Sequence, residues 1–298
     1  MKKSILITGA SGYLASHLAK ELITSNLSVI LIDKNPTQKS ILGVKIHKID
    51  LLNLNKTDEI LFKEISDIFH FAGIADIKES NENPIKSIDN NIKATALLIQ
   101  KSLKFNVKRF FFASTLYVYS KKGGIYKITK KTCEDLLTYH VNKNLNKFKL
   151  IVLKFGSIYG GNANHFNLIK NLILSGLNNK KFTSQTLTGN EVRSYVHIND
   201  VVYICKKILF NKNKKIEHIL ISSNEKVTIK KLIKTLNSLM NTNIKINFKK
   251  TIDNDHYQKN VFDIIPNNLN HIKNYKYIKL TEGLKMEIKN LSVDNNFK

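Results

Sequence analysis

Residues 4–15 read SILITGASGYLA, a short apolar run that ends at Gly9 followed by a helical pattern that begins after Gly12. Gly9 permits a tight turn, and Gly12 lets the main chain approach a pyrophosphate that the helix N-terminus then faces. Ala15 fills the place of a third glycine, where helix and strand pack closely. A glycine-rich turn alone is weak evidence, but its place between a strand and a helix predicts the phosphate-binding turn of a dinucleotide-binding fold.

Apolar strands alternate with helical patterns beyond this turn, which predicts parallel βαβ units. The predicted strands are residues 3–8, 28–32, 45–49, 68–71, 109–113 and 150–154, and the predicted helices are residues 14–22, 84–103, 127–140, 166–175, 199–210 and 228–240. The fold class is therefore α/β: a Rossmann doubly wound parallel sheet with a smaller α+β substrate lobe. We expect the NAD-binding domain at 1–158 and 192–222, and the substrate-binding lobe at 159–191 and 223–298.

Acidic residues end the second and third predicted strands. Asp33 follows Ala15 by 18 residues, close to the spacing of about 20 at which an acid binds the ribose hydroxyls of a dinucleotide. A carboxylate there accepts hydrogen bonds from the 2′-hydroxyl and repels a 2′-phosphate, which favours NAD over NADP, although Lys34 stands beside it. Asp50 either contacts the adenine or caps the segment that follows it.

Tyr126 and Lys130 are four positions apart at the start of a predicted helix, so their side chains share a face. A free phenol, with a pKa of about 10, is a poor base at neutral pH. A nearby ammonium group and the positive end of the helix both favour the phenolate. We expect a lowered phenol pKa and a base that takes a proton from an alcohol, although the Tyr-x-x-x-Lys spacing arises easily by chance in a lysine-rich chain.

The 298-residue chain carries 48 basic and 23 acidic residues, a formal net charge of +25. Only Arg109 and Arg193 are arginines, and the lysines are scattered. Because base recognition commonly uses the bidentate arginine fork, we interpret the charge as a solvated lysine surface and expect no nucleic-acid partner.

The apolar segments are too short for a membrane span, which needs about 18 consecutive apolar residues. The N-terminus builds no signal segment either, so we expect a cytoplasmic protein without a membrane partner. Cys133 and Cys205 are expected to be buried, reduced thiols. They lack metal-ligand spacing, and no metal site is predicted.

Further motifs occur in the order seen in extended short-chain dehydrogenases/reductases, and the chain resembles their NAD-dependent epimerase/dehydratase family. The similarity spans nearly the whole chain, and residues 68–99 look most like the UDP-galactose 4-epimerases. The matching segments are His70-Phe71-Ala72-Gly73, Asn90-Asn91-Ile92, Ala113-Ser114-Thr115, Tyr126 with Lys130, and residues 153–160, 189–200 and 281–284.

This resemblance implies a nucleotide-sugar 4-epimerase that uses NAD and works through a transient 4-keto sugar, with a role in polysaccharide biosynthesis. Tyr126 would be the acid/base, Lys130 its modulator and a ribose ligand, and Thr115 would orient the sugar oxygen. Ser157 and Arg193 would bind the substrate, since a guanidinium grips a diphosphate bidentately. The expected NAD-binding residues are Gly9, Ser11, Gly12, Tyr13, Leu14, Asp33, Lys34, Asp50, Leu51, Phe71, Ala72, Gly73, Tyr126 and Lys130.

Two alternatives remain open. Within the same class, the protein is a nucleotide-sugar 4-oxidase or 4-ketoreductase. In another class, it is a non-catalytic nucleotide-sensing or RNA-binding module. The resemblance also implies a homodimer formed through the helices at 84–103 and 127–140, and it places His70 at the border of the dinucleotide. The structural interpretation is that His70 and His197 are core histidines and that Asp200 is a helix N-cap.

The departures from the family pattern concern the substrate end. Family dehydratases carry Asp-Glu directly after the catalytic Thr, where this chain has Leu116 and Tyr117. Tyr126 follows Thr115 by only 11 positions, about half the usual family distance. Lys154, Ser157 and Ala75 stand where the family has Arg, a substrate-contacting Asn and a phosphate-contacting Lys. The resemblance therefore supports the chemistry better than it supports any one sugar.

Overall fold

The computed structural model describes residues 3–144, 148–161, 163–184, 188–211, 215–244, 246–248, 269–272 and 275–295. The strands are β1 Ser4–Thr8, β2 Val29–Asp33, β3 Ser40–Ile41, β4 Val44–Lys48, β5 Ile65–His70, β6 Arg109–Thr115, β7 Lys149–Phe155, β8 Ser157–Tyr159, β9 Phe182–Ser184, β10 Val192–His197, β11 Ile216–Ile221, β12 Lys226–Thr228, β13 Ile246–Phe248 and β14 Asn270–His271. The α-helices are α1 Tyr13–Thr24, α2 Lys56–Phe62, α3 Ile77–Glu82, α4 Pro84–Ser87, α5 Ala94–Lys104, α6 Gly124–Lys143, α7 Leu168–Leu177, α8 Ile198–Leu209, α9 Ile229–Met240 and α10 Leu280–Asn295.

The largest sheet among the described residues has nine strands in the order β14-β11-β7-β6-β5-β1-β2-β4-β3. All neighbours in it are parallel except β3 and β4. The chain leaves β1 for β2 on one side and later returns to β5 on the other. This reversal opens a crevice at the carboxyl ends of β1 and β5, where doubly wound sheets bind ligands. The predicted fold class is confirmed.

Side chains of β1 explain why helices cover both faces of the sheet. Ile5 and Ile7 point into one apolar cluster, which also contains Leu18 of α1 and Val201 of α8. Leu6 points into the opposite cluster, with residues of α5 and α6. A strand buried on both faces is a near-continuous apolar run, as in this stretch.

The C-terminal half adds smaller sheets and a third apolar cluster. Strand β10 lies between β8 and β12, and β9 pairs with β13. Leu172 of α7, Leu232 of α9 and Leu284 of α10 are fully buried together. From the same half, β14 pairs with β11 at the edge of the large sheet.

Within the described part of the chain, no helix combines the length and apolarity that a membrane crossing needs. The same residues contain no group of three or more His, Cys, Asp or Glu side chains that could hold a metal ion. Cys133 and Cys205 are buried free thiols, as predicted.

Candidate active site

Two adjoining cavities lie at the carboxyl ends of the central strands. The first, of about 290 Å³, includes Asp33 and Asp50 in its wall. The second, of about 350 Å³, includes Thr115 and Tyr126. Both cavities are lined by Gly9, Gly12, Phe71 and Gly73. One elongated ligand can therefore pass from an acidic end, over the glycine-rich turn, to a pair of hydroxyl groups.

The glycine-rich turn fits a dinucleotide pyrophosphate. Gly9 has a φ of +68°, and a Cβ atom there would lie 2.9 Å from the main chain of Ala72, so a larger residue would push the turn off β5. Gly12 immediately precedes α1, and its N–H donates to the Gly9 carbonyl at 2.8 Å. The partly positive N-terminus of α1 thus opens onto the junction of the two cavities.

Asp33 stands at the acidic end, as predicted for the ribose ligand. Its Oδ2 accepts from the Ser11 N–H at 3.0 Å and its Oδ1 from the Asn35 N–H at 2.8 Å. These two donors orient the carboxylate in the first cavity. Ser11 itself is not among the described wall residues, but its N–H couples Asp33 to the turn.

Asp50 caps the segment that follows it and also lines the first cavity, and its contact with the adenine stays a prediction. It caps the turn at Leu51–Asn53 by accepting from the Leu52 N–H at 3.0 Å, and it lies in the cavity wall. Its other oxygen is 3.0 Å from the Lys34 ammonium. Burial raises the pKa of Asp50, but the Leu52 N–H and Lys34 outweigh burial and hold that pKa below its usual value.

Replacing Asp33 with Asn is expected to shift the ratio of NAD to NADP affinity toward NADP by about tenfold or more. A like-charge pair about 4 Å apart costs about 1 to 4 kcal/mol near a protein surface, and about 1.4 kcal/mol is tenfold in affinity. Calorimetric titration with both dinucleotides measures the ratio. The control is Asp135→Asn, which removes the same charge on the exposed side of α6, far from the cavity. This variant should leave the ratio of NAD to NADP affinity unchanged. An equal ratio in the two variants would contradict the role of Asp33.

Tyr126 and Thr115 both line the second cavity, and the Thr115 hydroxyl lies near enough to the Tyr126 phenol to act on its pKa. Thr115 ends β6, and its Oγ1 also accepts from the Tyr117 N–H at 3.2 Å. Tyr126 lies in the first turn of α6, which begins at Gly124. The Ile125 N–H at that helix start donates to Asn81 Oδ1 at 2.9 Å. Strand end and helix start thus bring the two hydroxyl groups to the same cavity wall.

The expected lowering of the Tyr126 pKa is wrong for the protein described here. Burial raises the pKa of Tyr126 to about 12, and the hydrogen bond from Thr115 offsets this only in part. Lys130 points elsewhere: its ammonium donates to the Ala113 carbonyl at 2.9 Å and lies 5.0 Å from the centre of the Phe112 ring. Desolvation therefore outweighs the helix N-terminus and the cation that the sequence suggested.

Asn91 connects two segments next to the first cavity, a role that the sequence did not reveal. It lies in a π-helical segment, Ile88–Lys93, between α4 and α5, a feature that is often functional. Its Oδ1 accepts from the Ile74 N–H at 2.7 Å, and its Nδ2 donates to the Ile74 carbonyl at 3.1 Å and to Thr129 Oγ1 at 3.0 Å. Asn91 therefore fastens the loop after β5 to the helix that carries Tyr126.

The structure places most predicted site residues in the two cavity walls. Apart from Ser11, all the predicted NAD-binding and catalytic residues line one or both cavities. The predicted substrate ligands Ser157 and Arg193 are not brought to either wall; Arg193 lies in β10 and donates to the Val192 carbonyl at 3.1 Å. Wall residues that the sequence missed include Glu79, Lys86, Asn164, Phe166 and Asn167. Of these, Asn167 is recognisable in sequence only as the N-cap of α7.

The histidines of the family motifs are structural. His70 is fully buried between Thr8 Oγ1 at 2.8 Å and Thr95 Oγ1 at 2.9 Å. It does not line either cavity, so the expectation that it borders the dinucleotide is wrong. His197 caps α8 through the Asn199 N–H and lies 3.3 Å from Glu287 of α10. Asp200 is therefore not the N-cap of α8; it accepts from the Tyr275 hydroxyl at 2.6 Å and fastens the C-terminal segment.

Acid should destabilise the fold through His70. Burial lowers its pKa to about 3 from 6.5, so between these values the unfolded chain binds a proton that the folded chain does not. Stability then falls as pH decreases below 6.5, by about 1.4 kcal/mol per pH unit from this group. Urea unfolding measured across that interval should show a shallower pH dependence for His70→Gln than for wild type. An unchanged slope would contradict this, and the exposed His165→Gln is the matched control.

Comparisons with known proteins agree with this geometry. A family model described as "NAD dependent epimerase/dehydratase family" matches residues 5–222. A UDP-glucose 4-epimerase of Dictyostelium discoideum is 33% identical over 126 residues, covering 39% of this chain and 37% of that protein. A dTDP-D-glucose 4,6-dehydratase of the same organism is 29% identical over 238 residues, covering 67% of this chain and 54% of that protein. The matched parts thus span about a third to a half of these two relatives.

The fold is similar to that of MoeE5, solved in complex with UDP-glucuronic acid and NAD. The TM-score is 0.85 at 20% identity, over 98% of this chain and 99% of that one. None of these comparisons supports the alternative of a non-catalytic RNA-binding module. Since the family model covers more than half of the chain and the glycine-rich turn and Asp33 fit its dinucleotide, the chain belongs to the NAD dependent epimerase/dehydratase family, as an enzyme whose cofactor is NAD.

Proposed function

We propose that the protein is a nucleotide-sugar 4-epimerase. The observation that carries this proposal is that Thr115 and Tyr126 share the wall of the second cavity, which continues from the glycine-rich turn. A sugar hydroxyl beside this pair lies where the nicotinamide end of a dinucleotide held at Gly9 and Gly12 would reach. The names of the relatives, UDP-glucose 4-epimerase among them, support the same class of substrate.

In this mechanism Tyr126 removes the proton from the hydroxyl on carbon 4, while Thr115 Oγ1 orients that oxygen. NAD held at the glycine-rich turn would supply the acceptor for the hydride that leaves carbon 4, and afterwards the donor that returns it to the other face. Lys130, held by the Ala113 carbonyl, presents the cation that favours the phenolate once it turns toward Tyr126. Between the two half-reactions the 4-keto sugar rotates in the cavity, and Tyr126 returns the proton to the carbonyl oxygen.

The residues after Thr115 favour epimerisation over dehydration. Dehydration needs a further acid and base near carbon 5 and carbon 6 of the sugar, but Leu116 is buried and Tyr117 carries no carboxylate. The Tyr117 ring stands edge-on to the Tyr126 ring, with 6.4 Å between their centres. The short connection from Thr115 to Tyr126 therefore supplies aromatic surface at the place where family dehydratases carry a carboxylate pair.

Incubation of the purified protein with UDP-sugars tests the proposal. We expect conversion between the two carbon-4 stereoisomers, followed by NMR, with no lasting rise in the absorbance of reduced nicotinamide. Accumulation of reduced nicotinamide in proportion to product would establish the 4-oxidase instead, and consumption of added reduced nicotinamide with a 4-keto sugar would establish the 4-ketoreductase.

The substrate diphosphate and the distal part of the sugar nucleotide would bind beyond the second cavity. Asn164, Phe166 and Asn167 line that end and come from the connection between β8 and α7. In this proposal Ser157 and Arg193 complete the substrate site, and residues 159–191 and 223–298 form the substrate-binding lobe. Residues 1–158 and 192–222 form the NAD-binding domain.

We also propose that two copies pair through the region of α4 and α6. Ile85 and Ile128 are 71% and 54% exposed, and Ile88 is exposed beside them, an apolar patch that water disfavours. Light scattering should give a dimer for wild type and a monomer for the Ile85→Asp/Ile128→Asp variant. A wild-type monomer would contradict this.

Such an enzyme would act in the cytoplasm and supply polysaccharide biosynthesis.

A further inference from the structure

The wall of the cofactor cavity carries more carboxylates than ammonium groups. Its described wall carries three carboxylates, Asp33, Asp50 and Glu79, and two ammonium groups, Lys34 and Lys86. Each ammonium is paired with a carboxylate: Lys34 is 3.0 Å from Asp50, and Lys86 is 2.8 Å from Glu79. The diphosphate of NAD is anionic, so a cation that can leave its partner would add a charge-assisted contact to those of the glycine-rich turn.

Lys86 can leave its carboxylate partner more easily than Lys34 can. The Lys34 partner, Asp50, is 25% exposed and also caps the turn at Leu51–Asn53, whereas the Lys86 and Glu79 side chains are 59% and 43% exposed. Exposed ion pairs contribute only about 0–1 kcal/mol. A lysine side chain has a flexible stem and a compact charge, so it can change partner without moving its helix.

The main chain that carries this pair is well anchored. Lys86 lies in α4, and its carbonyl accepts from Asn90 Nδ2 at 2.8 Å. Glu79 lies in the first turn of α3, where its N–H donates to Asp76 at 2.7 Å. Both residues follow β5, the strand whose end also supplies Phe71, Ala72 and Gly73 to the cavity. Only the side chains need to move for the ammonium to exchange one anion for another.

We infer that Lys86 is a ligand of the NAD diphosphate and that Glu79 competes with the diphosphate for it. Binding of the cofactor breaks the Lys86–Glu79 pair and replaces it with a charge-assisted contact to phosphate. Glu79 therefore lowers the affinity for NAD, and Lys86 raises it. This inference depends on NAD binding alone. It can fail while the proposed epimerase activity stands, and the proposed activity can fail while the inference stands.

Calorimetric titration of the cofactor-free protein with NAD, ADP and adenosine tests the inference. Lys86→Met should weaken NAD and ADP by about tenfold, the size expected for one hydrogen bond to a charged group, and leave adenosine unchanged because it has no phosphate. Glu79→Gln should tighten NAD and ADP by a few-fold. In Glu79→Gln/Lys86→Met the benefit of the first change should vanish, because Glu79 acts only through Lys86.

Matched controls exist on the neighbouring turn. Lys78 and Glu82 form an exposed pair at 3.8 Å and do not line the cavity. Lys78→Met and Glu82→Gln alter the net charge in the same way and should change no affinity. Equal NAD affinity in Lys86→Met and Lys78→Met, a loss of adenosine affinity as large as that of ADP, or weaker NAD binding in Glu79→Gln would each overturn the inference.

Discussion

Tyr126→Phe should lower kcat for epimerisation by about a hundredfold to ten-thousandfold, the usual contribution of a positioned acid/base. The ring stays in place, since only the hydroxyl that meets Thr115 is removed. Affinity for NAD, measured by calorimetry, should stay within a few-fold of wild type. The measurement is the initial rate of carbon-4 inversion by NMR at saturating UDP-sugar.

The pH dependence of the same step follows from the burial of Tyr126. Because burial raises its pKa to about 12, the phenol is protonated at neutral pH. We expect the cationic nicotinamide ring of bound NAD to favour the phenolate. Titration of tyrosinate absorbance, taken as the difference between wild type and Tyr126→Phe, should show a pKa that decreases when NAD is added.

Tyr139→Phe is the matched control, because Tyr139 lies on the same helix and is 57% exposed. It should retain the wild-type rate and pH profile. Full epimerase activity in Tyr126→Phe would exclude this residue as the base and would leave the second cavity without a catalytic assignment.

Lys154→Met should lower the free energy of unfolding by about 3–5 kcal/mol, the usual cost of removing one partner of a buried ion pair. The Lys154 ammonium is fully buried and lies 2.6 and 2.7 Å from the two oxygens of Glu134. Ser114 also donates to Glu134, and the Tyr119 ring lies 4.6 Å from the ammonium. Methionine would leave the carboxylate buried without its cation. Urea unfolding monitored by circular dichroism measures the loss.

The double variant Glu134→Gln/Lys154→Met should recover most of that stability, because no unpaired charge remains. Lys131→Met is the control: Lys131 pairs with Asp135 on the exposed side of the same helix, 2.5 Å away, and such a pair contributes at most about 1 kcal/mol. A double variant as unstable as Lys154→Met would show that packing, and not the unpaired charge, carries the effect.

Some predicted site residues that the structure places in the cavity walls can be recognised from the local chain alone. Gly9 and Gly12 are needed where a strand turns into a helix, and Asp33 ends the next strand, so both can be read from a few neighbouring residues. The sequence predicted the position of Tyr126 but not its pKa. Desolvation by distant segments decides the pKa of a phenol, and no spacing along the chain reports it.

By itself, the sequence determined a doubly wound sheet and an NAD site at its carboxyl edge, because strand and helix periodicities and glycine turns act over short distances, whereas the role of Thr115 came only from the family resemblance. Only the tertiary structure decided which charges are paired and which hydrogen bonds hold the walls. The Asn91 clamp joins Ile74 to Thr129, and the Lys154–Glu134 pair joins β7 to α6. Such contacts form only where elements that are distant in sequence pack together, and burial then sets how much each contact contributes to stability.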